Sequence, residues 1–145
     1  MPILRAVIDT SVLISVAFAK EGVAKKIRDL IADDSFVLIT SKAILKELYE
    51  VLHYPRILER FKPSKEDIEE FVGMIIEHSI ITEDTYEVYG ITEDPKDDMF
   101  IACALEGDAD CIVSRDPHLR NIKHFQRIQI IDASSFINKV AEKEK

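Results

Sequence analysis

Apolar residues in this chain alternate between short β-branched runs and longer segments with helical periodicity. The short runs predict strands over residues 3–8, 36–39, 80–81, 111–114 and 128–131. The longer segments predict helices over residues 12–19, 23–31, 41–52, 64–76, 99–105, 117–122 and 133–140. Strands that alternate with helices in this way indicate an α/β protein with a parallel sheet and helices on both of its faces.

The connecting segments carry residues that end helices and strands. Pro55 and Pro63 bracket an irregular or short helical connection, and residues 83–93 are acidic, contain Gly90 and predict mostly loop. The charged tail, residues 141–145, is expected to fray. Because no repeat or low-complexity linker divides the sequence, we expect a single domain over residues 1–145.

Carboxylates follow two of the predicted strands at the point where each strand ends. Asp9 comes directly after the first strand, and Asp116 lies just beyond the fourth. Parallel sheets bind ligands at the carboxyl ends of their strands, where the strand order reverses. We therefore expect Asp9 and Asp116 to face one ligand site.

Helix capping offers a second interpretation of the acids around the fourth strand. Asp94 precedes Pro95, so it can be the N-cap of a helix in which Asp97 is the third residue. Asp116 can likewise cap the helix that Pro117 begins. Capping needs no ligand chemistry, so for each of these acids both interpretations stay open.

Glu47 lies at the boundary of an apolar helix face, where a carboxylate needs a partner. At about 100° per residue it falls between Ala43 and Val51, and no Lys or Arg stands three or four positions away. Such an acid either pairs with another element or faces a cavity.

Four carboxylates are therefore candidates for one catalytic and metal-binding cluster: Asp9, Glu47, Asp97 and Asp116. If they are drawn together, they must take up protons or bind a cation, because like charges repel in a cleft. All-oxygen ligation suits Mg²⁺ or Mn²⁺, and one or two such ions can promote phosphodiester hydrolysis. Neighbouring polar residues that can support the cluster or line its rim are Thr10, Ser11, Asp94, Asp98, Asp110 and Ser114.

The net charge of −8 argues against a protein that coats nucleic acid with basic side chains. Basic residues are nevertheless concentrated after the fourth strand, where a divalent ion would add positive charge. The candidates for phosphate contact in this segment are Arg115, His118, Arg120 and Lys123.

Two further features narrow the class of protein. Cys103 and Cys111 lie in apolar surroundings without CxxC spacing, which predicts buried free thiols rather than a zinc site or a disulfide. No apolar run is long enough for a signal peptide or a membrane span, so we expect a cytoplasmic protein with no membrane partner.

Four segments together make the chain resemble a PIN domain, of the VapC-like group that includes toxin components of toxin–antitoxin pairs. These segments are VIDTSVLIS, SKAILKELYEVL, DPKDDMFIACALEGDADCIVSRDPHL and QIIDASSFI, and they extend from about residue 6 to residue 137. The resemblance implies a three-layer α/β/α fold with a central parallel five-stranded sheet of order 3-2-1-4-5. That order puts the strand ends that carry Asp9 and Asp116 side by side.

The resemblance also implies an activity and partners. Proteins of this kind are metal-dependent endoribonucleases that act on single-stranded RNA. The resemblance also implies that the chain forms a homodimer and binds an antitoxin protein. Asp9, Glu47, Asp97 and Asp116 occupy the acidic positions of the family, with Asp97 preferred to Asp98 by its distance from residues 104–105.

Two positions depart from the family pattern, in which Gly often precedes the last acid and another acid follows it by two residues. Arg115 and His118 stand at those places. The missing fifth acid favours one bound ion over two, and both substituted residues can contact phosphate.

Two other enzyme classes with an acid after the first strand each lack a required residue. A haloacid dehalogenase phosphatase needs a second Asp two residues after the first, where this chain has Ser11. A receiver domain needs paired acids there and a Lys after the fifth strand, which Asp132-Ala133-Ser134 does not supply. The remaining alternative is a PIN-like RNA-binding or protein-interaction module with little turnover, which the four filled acidic positions argue against.

Overall fold

Six strands form one sheet in residues 3–144, the part of the chain that the computed structural model describes. The order across the sheet is β3-β2-β1-β4-β6-β5, and all pairs are parallel except β5 with β6. The strands are β1 (Arg5–Ile8), β2 (Val37–Ser41), β3 (Ser79–Thr82), β4 (Cys111–Val113), β5 (His124–Phe125) and β6 (Ile128–Ile131).

The predicted α/β fold and the order of the five predicted strands are confirmed, with β6 as the predicted fifth strand. The expected five-stranded, wholly parallel sheet is wrong at one edge, where β5 adds an antiparallel sixth strand. Gln126, with a φ of 54°, turns the chain between β5 and β6. The sequence pattern missed β5 because two residues are too few to show an alternation of apolar and polar side chains.

Eight helices connect the strands within residues 3–144. The connection between Pro55 and Pro63 is a regular helix. The last helix continues past its predicted end at Val140, into the tail expected to fray. Lys145, the last residue of that tail, lies outside the described residues. In this described part, no helix has the length and hydropathy needed to cross a membrane. The helices are α1 (Thr10–Phe18), α2 (Gly22–Ala32), α3 (Lys42–Leu52), α4 (Pro55–Phe61), α5 (Lys65–Glu77), α6 (Asp98–Glu106), α7 (Pro117–Arg120) and α8 (Ala133–Glu144).

Side-chain caps define where several helices begin. Ser41 accepts a hydrogen bond from Ile44 N at the start of α3, and Ser64 forms a capping box with Asp67 at the start of α5. Since β2 ends at Ser41, the cap also sets the direction in which α3 leaves the sheet.

The core lies on both sides of the two central strands, β1 and β4, whose residues are almost completely buried. Helix α6 packs close to β2 at Gly107, where a Cβ atom would overlap the side chain of Ile39. Cys103 and Cys111 are buried and free, as predicted, and burial raises the pKa of each thiol to about 12. Both thiols are therefore inert packing groups.

Candidate active site

The two central strands end at the same edge of the sheet and bring two of the predicted acids together. Ile8 is in register with Val113, and the next residue, Asp9, donates its backbone N–H to Val113 O at 3.0 Å. Ser114 follows Val113, and Asp116 begins α7 two residues later. The parallel pairing of β1 with β4 thus places Asp9 and Asp116 beside each other.

Asp9 is held in one orientation by hydrogen bonds to both of its oxygens. Oδ1 accepts from Val12 N at 2.9 Å and from Ser11 Oγ at 3.2 Å, and Oδ2 accepts from Ser114 Oγ at 2.5 Å. Burial raises the pKa of Asp9, the hydrogen bonds from Ser114, Val12 and Ser11 oppose this, and the charge of Asp116 raises it further. The carboxylate both caps α1 and forms the floor of the site.

Asp97 lies against the carboxyl group of Asp116. Burial, this carboxyl neighbour, and the charges of Asp116, Asp94 and Asp9 together raise the pKa of Asp97 to about 7. Oδ2 of Asp97 is buried and has no hydrogen-bond partner within the described residues. An acceptor in this position normally has a proton, a water or a cation against it, because an unpaired buried polar atom is costly.

Glu47 reaches the same group of acids from α3. Burial raises the pKa of Glu47, and the charges of Asp9 and Asp94 raise it further. The nearby hydroxyl of Thr10 and the charge of Lys96 lower this pKa. The Thr10 hydroxyl is itself buried, and in the described part of the chain its Oγ1 has no partner at normal hydrogen-bond distance. The structure therefore brings together all four predicted acids from four different elements.

The predicted supporting acids divide into three positions. Asp94 lies at the rim, where its charge acts on Glu47 and Asp97 and its Oδ1 accepts from Lys96 N. Asp98 holds a loop: Oδ2 accepts from Gly90 N at 3.0 Å and Oδ1 from Thr92 N at 2.8 Å.

Asp110 lies at the opposite end of the central strands, directly before β4 begins, and its Oδ2 accepts from Arg5 N at 2.9 Å. The expectation that it supports the cluster is wrong, because Asp110 precedes β4 while the site forms where β4 ends.

The capping interpretation holds for one acid and fails for another. Asp116 caps α7 by accepting from His118 N at 2.8 Å, and it is a site acid as well. Helix α6 begins at Asp98 and not at Pro95, as the capping interpretation required, so Asp97 is its N-cap residue rather than its third residue and makes no capping hydrogen bond. The carboxylate of Asp97 is consequently left to the site.

The predicted basic residues all follow β4 in the chain, and their contacts differ. Arg115 is exposed, and its Nη2 is 3.5 Å from Ser11 O. His118 pairs with Glu93 at 3.1 Å, and Arg120 lies 3.8 Å from Asp132. Lys123 is exposed and has a φ of 65° in the turn before β5.

Two arginines near the site were missed by the sequence analysis. Arg56 and Arg60 lie on α4 and line a cavity together with Ser11 and Arg115. Their spacing of four residues on a helix bracketed by prolines was the available signal. Without a known position for α4, that spacing is equally typical of a solvated helix face.

The donor set of the site fits a hard divalent ion. All four acids offer oxygen ligands, Oδ2 of Asp97 is buried without a protein partner, and burial together with neighbouring carboxylates raises the pKa of Asp9, Glu47 and Asp97. Among the described residues, no three acid, imidazole or thiol side chains already form a metal-binding arrangement. An ion that keeps several of its waters, as Mg²⁺ does, needs only one or two direct carboxylate ligands.

Comparisons with known proteins agree with this geometry. A family model described as PIN domain matches residues 5–118. A chain in the crystal structure of VapBC2 from Rickettsia felis bound to a DNA fragment from their promoter has a similar fold, with a TM-score of 0.58 and 12% sequence identity over 88% of this chain and 97% of that chain. No curated protein matches the sequence. Because the family model covers most of the sequence, the chain belongs to the PIN domain family.

Proposed function

We propose that this protein is a Mg²⁺- or Mn²⁺-dependent endoribonuclease that hydrolyses phosphodiester bonds of single-stranded RNA. PIN domains are typically nucleases and generally use divalent metal ions. The observation that carries the proposal is the buried, unpaired Oδ2 of Asp97 beside Asp9, Glu47 and Asp116. A cluster of acids without a counterion costs stability, so its presence indicates that it binds a cation in function.

The four acids would bind the ion, and their surroundings would determine how each one takes part. Asp9, Glu47, Asp97 and Asp116 would hold the ion, which when bound would offset the charge of the phosphate and lower the pKa of a water. Asp9 is oriented by Ser114, Ser11 and Val12, so it needs little rearrangement to act as a ligand.

The Asp97 carboxylate would also act as the proton acceptor. It would take up the proton that the attacking water loses as its oxygen bonds to phosphorus and the phosphorus–oxygen bond to the leaving group breaks. Burial of Asp97 keeps bulk water from taking that role.

A cleavage assay tests the proposal with matched variants. Purified protein is incubated with labelled single-stranded RNA in Mg²⁺, in Mn²⁺ and in chelator, beside Asp9→Asn, Asp97→Asn and the control Asp33→Asn. We expect the first two variants to lose at least about 100-fold in kcat/KM, and the chelator to abolish cleavage. The control changes an exposed acid on the turn after α2 and should cut at the parental rate.

Cleavage that survives both substitutions would contradict the mechanism. RNA binding without cleavage in any metal would favour the alternative, an RNA-binding or protein-interaction module.

We also propose that this nuclease acts in the cytoplasm as the toxin of a toxin–antitoxin pair and forms a homodimer. The toxin role is supported by the fold shared with a chain of a VapBC complex. The homodimer rests on the family resemblance alone. Light scattering decides the oligomeric state, and a monomer at working concentration would contradict the dimer.

A further inference from the structure

A cavity of about 510 Å³ with polar and apolar walls lies between α1 and α4. Its polar wall consists of Ser11, Ser15, Arg56, Arg60 and Arg115. Ser11 also donates to Oδ1 of Asp9 at 3.2 Å, and Arg115 directly precedes Asp116. The cavity therefore adjoins the acidic cluster at Ser11, which lines the cavity and also contacts Asp9.

Three guanidinium groups give this cavity a charge opposite to that of the protein. The chain has a net charge of −8, yet no Asp or Glu lines the cavity. Within the described residues, Arg56, Arg60 and Arg115 make no salt bridge. Because arginine stays protonated at all physiological pH values, three positive charges remain without a protein counterion.

Aromatic rings hold two of the guanidinium groups in place. Arg60 lies over the ring of Phe61, with Cζ 5.0 Å from the ring centroid, and Phe61 is stacked on Phe18 at 4.2 Å between centroids. Arg56 lies 5.7 Å over the ring of Tyr54. These contacts reduce the conformational entropy that each arginine loses when it binds a ligand.

We propose that this arginine cavity binds the phosphates of the RNA strand on one side of the cleaved bond. The inference rests on the nuclease function proposed above and adds Arg56 and Arg60 as substrate-binding residues. Planar guanidinium forks match phosphate oxygens in pairs, and the serine hydroxyls can donate to the same groups. An RNA strand suits the cavity better than an acidic protein segment does, because Ser11 joins the cavity to Asp9, one of the acids that would cut the strand.

Binding without cleavage gives the cleanest test. A fluorescein-labelled oligouridylate of about 12 nucleotides is titrated with protein in chelator and followed by fluorescence anisotropy. The compared proteins are the parent, the double variant Arg56→Gln with Arg60→Gln, and a control double variant, Lys26→Gln with Lys143→Gln. The control removes the same charge from exposed sites on α2 and α8 that do not line the cavity.

We expect the arginine double variant to weaken RNA binding by about tenfold and to lower the slope of log Kd against log salt by about 1.4, as the loss of two phosphate contacts on a single strand requires. The lysine control should bind as the parent does. In Mg²⁺, KM for the same RNA should rise by a larger factor than kcat falls, because Arg56 and Arg60 lie outside the acidic cluster.

Equal RNA affinity in the parent and the arginine variant would overturn the inference, as would an equal loss in the lysine control. If RNA affinity is unchanged while an oligoglutamate peptide binds only the parent, the cavity belongs to an acidic protein partner instead. Arginine-dependent binding by a parent that cuts nothing would leave the inference standing and overturn the nuclease function.

Discussion

Asp97 and Asp98 are adjacent residues of one type, both buried, and they have opposite roles. Asp98 turns both of its oxygens to backbone N–H groups, those of Gly90 and Thr92. Asp97 leaves Oδ2 without a partner and faces Asp116. The number of hydrogen bonds that each carboxylate accepts therefore separates an acid that holds the fold from an acid that is available for chemistry.

The last residue of helix α6 is a second acid that, like Asp98, accepts hydrogen bonds from backbone N–H groups. This acid, Glu106, accepts from the N–H groups of Glu83, Thr85 and Tyr86 and ties down the start of the loop that Asp98 holds further on. Although burial opposes it, these hydrogen bonds lower the pKa of Glu106. Satisfied acids at both ends of α6 thus anchor the segment that leads into Asp94 and Asp97.

The largest effect on stability is expected from Asp98→Ala. The substitution leaves two backbone N–H groups without their charged acceptor, so the free energy of unfolding should fall by about 3 kcal/mol. Urea denaturation followed by circular dichroism measures the change. Asp33→Ala, at an exposed acid, is the control and should stay within about 0.5 kcal/mol of the parent. If Asp98→Ala were as stable as this control, Asp98 would not be a structural anchor.

A smaller effect of opposite sign is expected from Asp97→Asn. The pKa of Asp97 rises from 3.8 to about 7 on folding, so the folded state holds its proton more tightly than the unfolded state. The stability that this group contributes is present below about pH 4 and is lost as the pH rises to about 7. Without added metal, the variant should therefore be more stable than the parent at pH 8, by about 1–2 kcal/mol once solvent screening is taken into account.

The pH dependence distinguishes this prediction from a general gain in stability. The difference in unfolding free energy between parent and Asp97→Asn should shrink as the pH falls through 3.8 and vanish below it, where the carboxyl is protonated in both states. Parallel curves of stability against pH for the two proteins would show that Asp97 is not perturbed.

The smallest effect is expected from a divalent ion in the absence of RNA. At pH 8, millimolar Mn²⁺ should stabilise the parent by about 1 kcal/mol, which raises Tm by about 4 °C for a domain of this size. At pH 5 the shift should shrink, because protonated Asp97 competes with the ion. Differential scanning fluorimetry measures the shift, and Asp116→Asn should reduce it. An equal shift at both pH values would place the ion elsewhere.

The sequence alone predicted four acids that the structure places near one another, but it could not place every acid correctly. Asp9 and Asp116 followed from one local rule, that carboxylates at the ends of parallel strands share an edge, and both lie there. The same reasoning misplaced Asp110, which precedes β4 and lies at the opposite end of the central strands. A one-dimensional pattern shows that an acid is near a strand. Its distance from the ligand site depends on whether the acid precedes or follows that strand.

The sequence by itself determined the five longer strands and most of the helices along the chain, and the buried thiols, because each depends on residues close together in the chain. Only the tertiary structure decided that Asp97 is unpaired while Asp98 is satisfied, and that Arg56 and Arg60 face a cavity beside the acids. Hydrogen-bond partners and electrostatic neighbours are set by packing between segments distant in the chain, and periodicity carries no information about that packing.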